Sequence, residues 1–378
     1  MFDLTDYTYF LPDDRIAQKL ATPADSCKLL VFSQEKQTIT DHHFADLPAL
    51  LDPGTTHFVF NTSKVLKARL LLPSINGEIF FLRAQDAYTF EALVRPGKKF
   101  PVGATLTLDE TDIHFTVRAV TGNGRLIACS SPILEVLDQY GQLPLPPYIA
   151  YDATHAAAYQ AIFAQEPWSV AAPTASLHFT DSLLQTLYAQ WATSSTLVLH
   201  VGLGTFKQVD TEDITSYSIH EEQAQVSLDI FSTLAEKRLA GHRIVGVGTT
   251  VTRTLESLPF LRVLLPEDTK NAFPDHIHQR RTTLCHDLTI DEATTVIPYR
   301  SASVSSTILF ETKCYLYPGK SFRIITALIT NFHLPKSSLL MLVAGFMGYH
   351  QMKACYDHAL RHEYLFYSFG DAMLITRD

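Results

Sequence analysis

Cysteine is sparse, tryptophan sparser, and no long hydrophobic run occurs. The 378-residue chain holds five cysteines and two tryptophans. Cys27, Cys129, Cys285, Cys314 and Cys355 are scattered, odd in number, and form no C-x-x-C pair. That excludes a disulfide framework or a zinc knuckle and leaves reduced thiols as the expectation. The longest apolar stretch, "SSLLMLVAGFMGYH", is too short to span a bilayer. The N-terminal "MFDLTDYTYFLPDDRIAQ" has acidic residues and no basic segment before an apolar run, so it does not read as a signal peptide. A soluble, cytoplasmic protein without membrane association is expected. Low-complexity tracts are missing too, which argues against disorder. So is an excess of positive charge. A net charge of −9 argues against a generic nucleic-acid binder, although a local basic groove remains compatible with it.

What is present is the material of a large core. Hydrophobic residues make up 46% of the chain and charged residues 18%. The length suggests two domains. "KLLVFS" and "HFVF" read as buried strands, and "DDRIAQKL" as a short helix. Between about residues 66 and 135, "ATLTLD", "IHFTVRAV" and "RLIACS" alternate with period two, the pattern of an antiparallel meander or barrel. The Pro-rich "LPLPPYI" reads as a hinge returning the chain to its first domain. Helix and strand patterns then alternate. Helices are expected in "DATHAAAYQAIFAQ", "DSLLQTLYAQWA", "SLDIFSTLAEKRLAG", "TRTLESL" and "SSLLMLVAGFMG". Strands are expected in "STLVLHV", "HRIVGV" and "SFRIITALIT". The fold class read from this is α/β (mixed α+β): a large discontinuous domain, residues 1–65 and 149–378, with a smaller antiparallel β-barrel, residues 66–148, inserted.

Polar residues gather where these elements meet. "FNTSKVLKARL" ends a buried strand in Asn61 and Thr62, with Lys64, Lys67 and Arg69 following. "AAPTASLHFTDSLLQTL" places Thr174 and His178 just upstream of a helix that Thr180 or Asp181 can cap. "LHVGLGTF" holds His200, Gly202, Gly204 and Thr205; its glycines permit close backbone approach, but the G-x-G lacks the third glycine of a dinucleotide fingerprint. "VGVGTTVTRTLES" runs a strand into Thr249 and Thr250, with Arg253 and Glu256 one turn on. "ITNFHLPKSSLLMLV" sets Asn331 and His333 between two apolar elements, with Pro335 suited to a first helical turn. Each joint also has a plain structural reading as a turn, a cap, an (i, i+3) ion pair or a satisfied histidine. No H-x-H or H-E-x-x-H joins His178, His200 and His333, and the H-x-H in "DHIHQRR" sits in a polar stretch, so no metal is expected.

Taken together, these strings resemble one family, the S-adenosylmethionine:tRNA ribosyltransferase-isomerases of queuosine biosynthesis. "FNTSKVLKARL", "ALVRPGKKFPVG", "LPLPPYI", "EPWSVAAPTASLHFT", "LHVGLGTFKQV", "HEEQAQV", "VGTTVTRTLES", "ALITNFHLPKSSLLMLV" and "YSFGDAMLI" follow the family's order over nearly the whole chain. The resemblance implies transfer and isomerisation of the ribosyl moiety of S-adenosylmethionine onto 7-aminomethyl-7-deazaguanine at the tRNA wobble position. Epoxyqueuosine-tRNA forms, and adenine and methionine leave. The partners implied are that tRNA and S-adenosylmethionine, the latter as substrate, with no permanently bound cofactor; a monomer is expected. The chemistry needs a base beside the sulfonium, which His333, His178 or His200 can supply, and donors for the leaving adenine. Asn61, Thr62, Lys64, Arg69, Thr174, Gly202, Gly204, Thr205, Thr249, Thr250, Arg253 and Asn331 are the expected substrate contacts. Lys67, Arg95, Lys98 and Lys99 are the expected tRNA contacts.

The chain is a somewhat divergent member on this reading. Lys64 and Lys207 stand where the family usually has arginine, and a lysine loses bidentate recognition. Trp168, Ser176 and Leu203 stand where smaller residues are usual. A tRNA-binding paralogue with weakened catalysis is therefore the second reading. A histidine-metal hydrolase, resting on the histidines alone, is the third.

Overall fold

The computed structural model describes residues 2–122, 124–202, 208–260 and 307–377. Two sheets organise it. The larger has nine strands, in spatial order Thr307–Thr312, Glu222–Ser227, Thr193–Leu199, Thr56–Asn61, Arg243–Val247, Ala327–Asn331, Ala372–Thr376, Lys28–Ser33 and Thr38–His43. The four central strands from Thr193–Leu199 to Ala327–Asn331 run parallel. Their carboxyl ends therefore share one edge of the sheet, the place where open α/β sheets hold their ligands. The Ala372–Thr376 strand runs antiparallel to Ala327–Asn331 and makes the sheet mixed.

Both faces of this sheet are covered, which is why its strands are almost continuously apolar. Val59, Leu197, Ile244 and Leu328 point into one core with the helices Thr249–Ser257, Ser338–Met347 and Tyr349–Arg361. Phe58, Phe60, Val245 and Ile329 point into the other, against Phe179, Leu183 and Leu187 around the helix Asp181–Ala189. A one-residue slip in any of these strands would exchange the two cores.

The second sheet has six antiparallel strands in the order Arg69–Leu72, Gly77–Ala84, Thr89–Arg95, Arg125–Cys129, His114–Val120 and Thr105–Thr107. It curls as a half-barrel around Leu70, Ile79, Phe81, Phe90, Phe115 and Ile127. The helix Ile133–Tyr140 closes it with Ile133, Val136 and Leu137. The protein is thus mixed α+β, as the alternation of patterns suggests, and the period-two stretches do form antiparallel strands.

Three elements differ from their sequence reading, each through a hydrogen-bonding partner distant in sequence. The expected helix in "DATHAAAYQAIFAQ" spans only Ala153–Ala158. Gln160 there acts as a strand partner, its Oε1 accepting from Val65 N at 3.0 Å and its Nε2 donating to Val65 O at 3.3 Å. In "SFRIITALIT" the strand begins only at Ala327. Ahead of it, the N–H groups of Arg323, Ile324 and Ile325 donate to the Glu256 carboxylate at 2.6, 2.9 and 3.0 Å. The helix expected in "DDRIAQKL" is a single 3₁₀ turn, Asp13–Arg15, because Ile16 bridges to Phe366.

Candidate active site

A cleft opens at the carboxyl edge of the four parallel strands. It encloses about 650 Å³ of space, part of it open to solvent. Its wall includes Thr174, Thr249, Thr250, Asn331 and His333, drawn from three of the polar joints. Strand ends that are far apart in sequence meet here because parallel strands must all stop at the same edge.

His333 follows the strand that ends at Asn331. Its Nε2 lies 2.8 Å from Thr330 Oγ1. The same hydroxyl lies 3.3 Å from the Asn331 carbonyl, and when its one proton goes there it accepts from the ring. In the tautomer protonated at Nε2, Nδ1 keeps its lone pair, and it makes no hydrogen bond among the described residues. The His333 backbone is held on both sides. Its N–H donates to Tyr356 Oη at 2.9 Å, and its carbonyl accepts from Tyr9 Oη. Burial pushes the imidazole down to about 3, so it is neutral at physiological pH.

His178 occupies a different position. It is completely buried, and burial lowers it to about 4. Asn331 Nδ2 donates to His178 Nε2 at 3.0 Å, and Thr174 Oγ1 donates to Asn331 Oδ1 at 2.9 Å. His178 Nδ1 then faces Cys27 Sγ at 3.2 Å. With both ring nitrogens engaged, His178 orients the Asn331 amide from behind the wall and has no free lone pair to offer.

The helix Thr249–Ser257 begins at the cleft. Gly248 is its N-cap with φ of 95°, a backbone conformation suited to glycine, and no side chain caps the first turn. Thr250 Oγ1 is buried without a hydrogen-bond partner among the described residues. Neither threonine caps the helix, in contrast to the sequence reading. Arg253 and Glu256 do not pair with each other either. Arg253 donates to Glu222 and, through Nε, to the Cys314 carbonyl at 3.1 Å. Burial alone would raise Glu222, but Arg253, His220 and the Gly202 N–H outweigh it and hold the carboxyl at about 2.

The remaining expected residues are placed elsewhere. Asn61 ties strands together: its Nδ2 donates to Leu199 O at 3.0 Å and its Oδ1 accepts from Leu199 N and Ser63 N. Thr62 donates to Leu197 O. His200 is not on the cleft wall; its neighbour Val201 is. Its backbone joins Gln223, and its Nδ1 is buried without a hydrogen-bond partner among the described residues. Gly202 N–H donates to Glu222 Oε1 at 3.2 Å. Ser176 is buried off the wall, while the helix led by Pro335 starts only at Ser338, with Ser337 as its cap. Leu203, Gly204, Thr205, Lys207, Cys285 and the H-x-H of "DHIHQRR" lie outside the described residues, as does the Trp168 side chain.

Arg69 pairs with Glu78 at 3.2 Å, Lys67 with Asp138 at 3.3 Å, and Lys99 Nζ donates to the Ile75 carbonyl. Lys64, Arg95 and Lys98 are exposed and have no ion-pair partner among the described residues. Reading joints alone missed Tyr148, Tyr159, Tyr367 and Ser368, which also line the cleft. Tyr148, Tyr367 and Ser368 lie in "LPLPPYI" and "YSFGDAM", taken there as a hinge and a matching string, and Tyr159 lies in "DATHAAAYQAIFAQ", taken there as a helix. Tyr148 Oη and Ser368 Oγ are 2.7 Å apart.

The family model described as queuosine biosynthesis protein matches residues 4–375. The chain belongs to that family. Curated relatives of this queuosine biosynthesis protein are named S-adenosylmethionine:tRNA ribosyltransferase-isomerase. The one from Moorella thermoacetica is 38% identical over 98% of this chain and 99% of its own. The one from Burkholderia cenocepacia is 36% identical over 100% of this chain and 98% of its own. The solved crystal structure of S-adenosylmethionine tRNA ribosyltransferase from Thermotoga maritima is 29% identical, with a TM-score of 0.50 over 98% of this chain and 99% of that one.

The buried histidines make folding of this queuosine biosynthesis protein sensitive to acid. His178 and His333 sit below the ordinary value of about 6.5, so the unfolded chain binds more protons as pH falls. Their contribution is complete above pH 6.5 and declines as pH drops toward 3–4. Urea unfolding between pH 7 and pH 4 should show each histidine contributing up to about 1.4 kcal/mol of lost stability per pH unit. His178→Asn should flatten that slope; an unchanged slope would mean that other groups set it.

Proposed function

We infer that the chain is an S-adenosylmethionine:tRNA ribosyltransferase-isomerase. It moves the ribosyl group of S-adenosylmethionine onto 7-aminomethyl-7-deazaguanine at the tRNA wobble position, yielding epoxyqueuosine-tRNA. The observation that carries the site assignment is the free Nδ1 of a neutral His333 on a cleft wall at the carboxyl edge of the sheet. The whole-chain family match carries the reaction.

In this reading His333 Nδ1 takes a proton from the carbon beside the sulfonium. The neighbouring sulfonium acidifies that carbon, which lowers the basicity demanded of the imidazole. The electron pair left on that carbon becomes a double bond to the adjacent ring carbon as the bond from that ring carbon to the ring oxygen breaks. The ring oxygen forms a carbonyl at the anomeric carbon and adenine leaves from there, hydrogen-bonded by the Asn331 amide that Thr174 and His178 orient. The aminomethyl nitrogen of the tRNA base then adds to the resulting vinyl sulfonium and gives up a proton. The regenerated carbanion attacks the carbonyl carbon to close a carbocycle, and the alkoxide so formed displaces methionine to give the epoxide. The uncapped start of the helix Thr249–Ser257, with the unpartnered Thr250 hydroxyl, suits the carboxylate of the methionine moiety. Asn61, Thr62 and Arg253 shape the site from behind through their strand and ion-pair contacts. No resident cofactor enters this sequence of steps.

The six-stranded sheet belongs to an inserted unit, residues 66–148, on a body formed by residues 1–65 and 149–378. Its exposed Arg95 and Lys98 are the tRNA-facing charges, with Lys64 on the adjoining strand. We take the protein to act as a cytoplasmic monomer; no helix among the described residues is long and apolar enough to cross a membrane.

The test uses purified protein, S-adenosylmethionine and tRNA carrying the precursor base. Adenine and methionine should appear in equal amounts, and only with that tRNA. Binding of the tRNA without adenine release would replace this reading with a catalytically weakened paralogue. Arg95→Glu with Lys98→Glu should weaken tRNA binding by at least ten-fold and flatten its salt dependence, because each phosphate contact releases counterions. Binding of S-adenosylmethionine should be unchanged. Equal loss of both, with folding intact, would move the tRNA surface elsewhere.

A further inference from the structure

On the far edge of the nine-stranded sheet, three potential metal ligands meet. Asp41 lies on the edge strand Thr38–His43, and His358 and His362 lie four residues apart at the end of the helix Tyr349–Arg361. One ligand atom from each lies within 4.8 Å of the others. We propose that Asp41, His358 and His362 form a binding site for a divalent transition metal of the zinc class, clamping the edge strand to the C-terminal end of this helix.

Spacing comes first. Residues i and i+4 of a helix share a face, and these two rings stack with centroids 3.8 Å apart and planes 25° apart. Two protonated imidazoles would repel in that arrangement, whereas two neutral rings can both ligate. The tautomer of His362 is set for it. His362 Nδ1 is 2.9 Å from the His358 carbonyl, which can only accept, so the proton is on Nδ1 and the Nε2 lone pair is free. A ligating histidine whose other nitrogen is held by a carbonyl is the usual outer arrangement of a zinc site.

The third ligand is also held. Tyr364 Oη donates to Asp41 Oδ1 at 2.6 Å, and His358 Nε2 donates to the two carboxylate oxygens at 2.9 and 3.0 Å, so the metal takes the place of that proton and its binding releases it. Zinc bonds of about 2.0–2.1 Å put tetrahedral ligands roughly 3.3 Å apart, so only small side-chain rotations are needed. Asp41 is 45% exposed and free to make them. The helix adds a field: its carboxyl end carries partial negative charge and favours a cation there. Two imidazoles and one carboxylate suit Zn²⁺, Co²⁺ or Ni²⁺, with solvent as further ligand, and not Ca²⁺ or Mg²⁺.

The site stands apart from the cleft, so no step of the reaction runs through it. Tyr364 packs edge-on against Phe332 at 5.7 Å, and Phe332 precedes His333 in the chain. The metal therefore stabilises the packing behind the cleft.

The experiment titrates the chelator-treated full chain with Zn²⁺ by calorimetry and with Co²⁺ by absorption. One equivalent should bind, and Zn²⁺ should raise the melting temperature. His362→Ala and Asp41→Asn should each weaken binding by at least ten-fold and abolish the rise. Tyr364→Phe, which keeps all three ligands, should weaken it by about ten-fold through loss of orientation. The melting temperature of metal-free His362→Ala should equal that of the metal-free parent, which separates a lost ligand from a damaged fold. Failure to bind one equivalent, or binding that His362→Ala and Asp41→Asn leave unchanged, overturns the proposal.

Discussion

His333→Gln should lower the rate of adenine release from S-adenosylmethionine by roughly 10²–10⁴-fold, the range a positioned general base supplies. The glutamine fills similar space and can still meet Thr330, but it has no basic nitrogen. The melting temperature should shift by only a few degrees, because His333 keeps a face open to the cleft and its backbone anchors to Tyr9 and Tyr356 remain. The loss should fall on kcat, with KM for S-adenosylmethionine nearly unchanged. A loss confined to KM would make His333 a binding group. His178→Asn gives the contrast. That ring is fully buried and has no free lone pair, so its replacement should cost stability first and activity through misplacement of Asn331. Equal kinetic effects from the two variants would reverse the assignment.

Arg253→Met should destabilise the fold by about 3–5 kcal/mol at pH 7, measured by urea unfolding. Glu222 and Arg253 are both almost wholly buried, at 3% exposure each. Removing the guanidinium takes the Arg253 charge away from a carboxylate buried inside the protein. The Glu222 carboxyl would rise from about 2, so the deficit relative to the parent should shrink as pH falls and the carboxyl becomes neutral. Arg253→Met combined with Glu222→Gln should recover much of the loss, because the uncompensated charge is gone. A loss below about 1 kcal/mol in the single variant would mean that water reaches Glu222 once the arginine is removed.

Much of this protein is legible in its sequence. Buried strands such as "KLLVFS" and "HRIVGV", and the helix in "SSLLMLVAGFMG", are local consequences of apolar pattern. Period-two alternation between residues 66 and 135 is likewise enough to require antiparallel strands. The joints at Thr174, Thr249, Asn331 and His333 are visible because polar residues interrupt apolar runs. What pattern does not carry is the partner of each polar group. Arg253 meets Glu222 instead of Glu256, and Glu256 meets the backbone of 323–325. Asn61 closes a strand joint, and His200 stays off the cleft wall. The tautomer of His333 rests on a hydroxyl three residues away and on the direction that hydroxyl donates. Sequence by itself determined the elements and their polar ends, because backbone preference and burial act over a few residues. Only the tertiary structure decided which histidine keeps a free nitrogen on the cleft wall, because the parallel register of strands far apart in the chain sets which polar ends meet there.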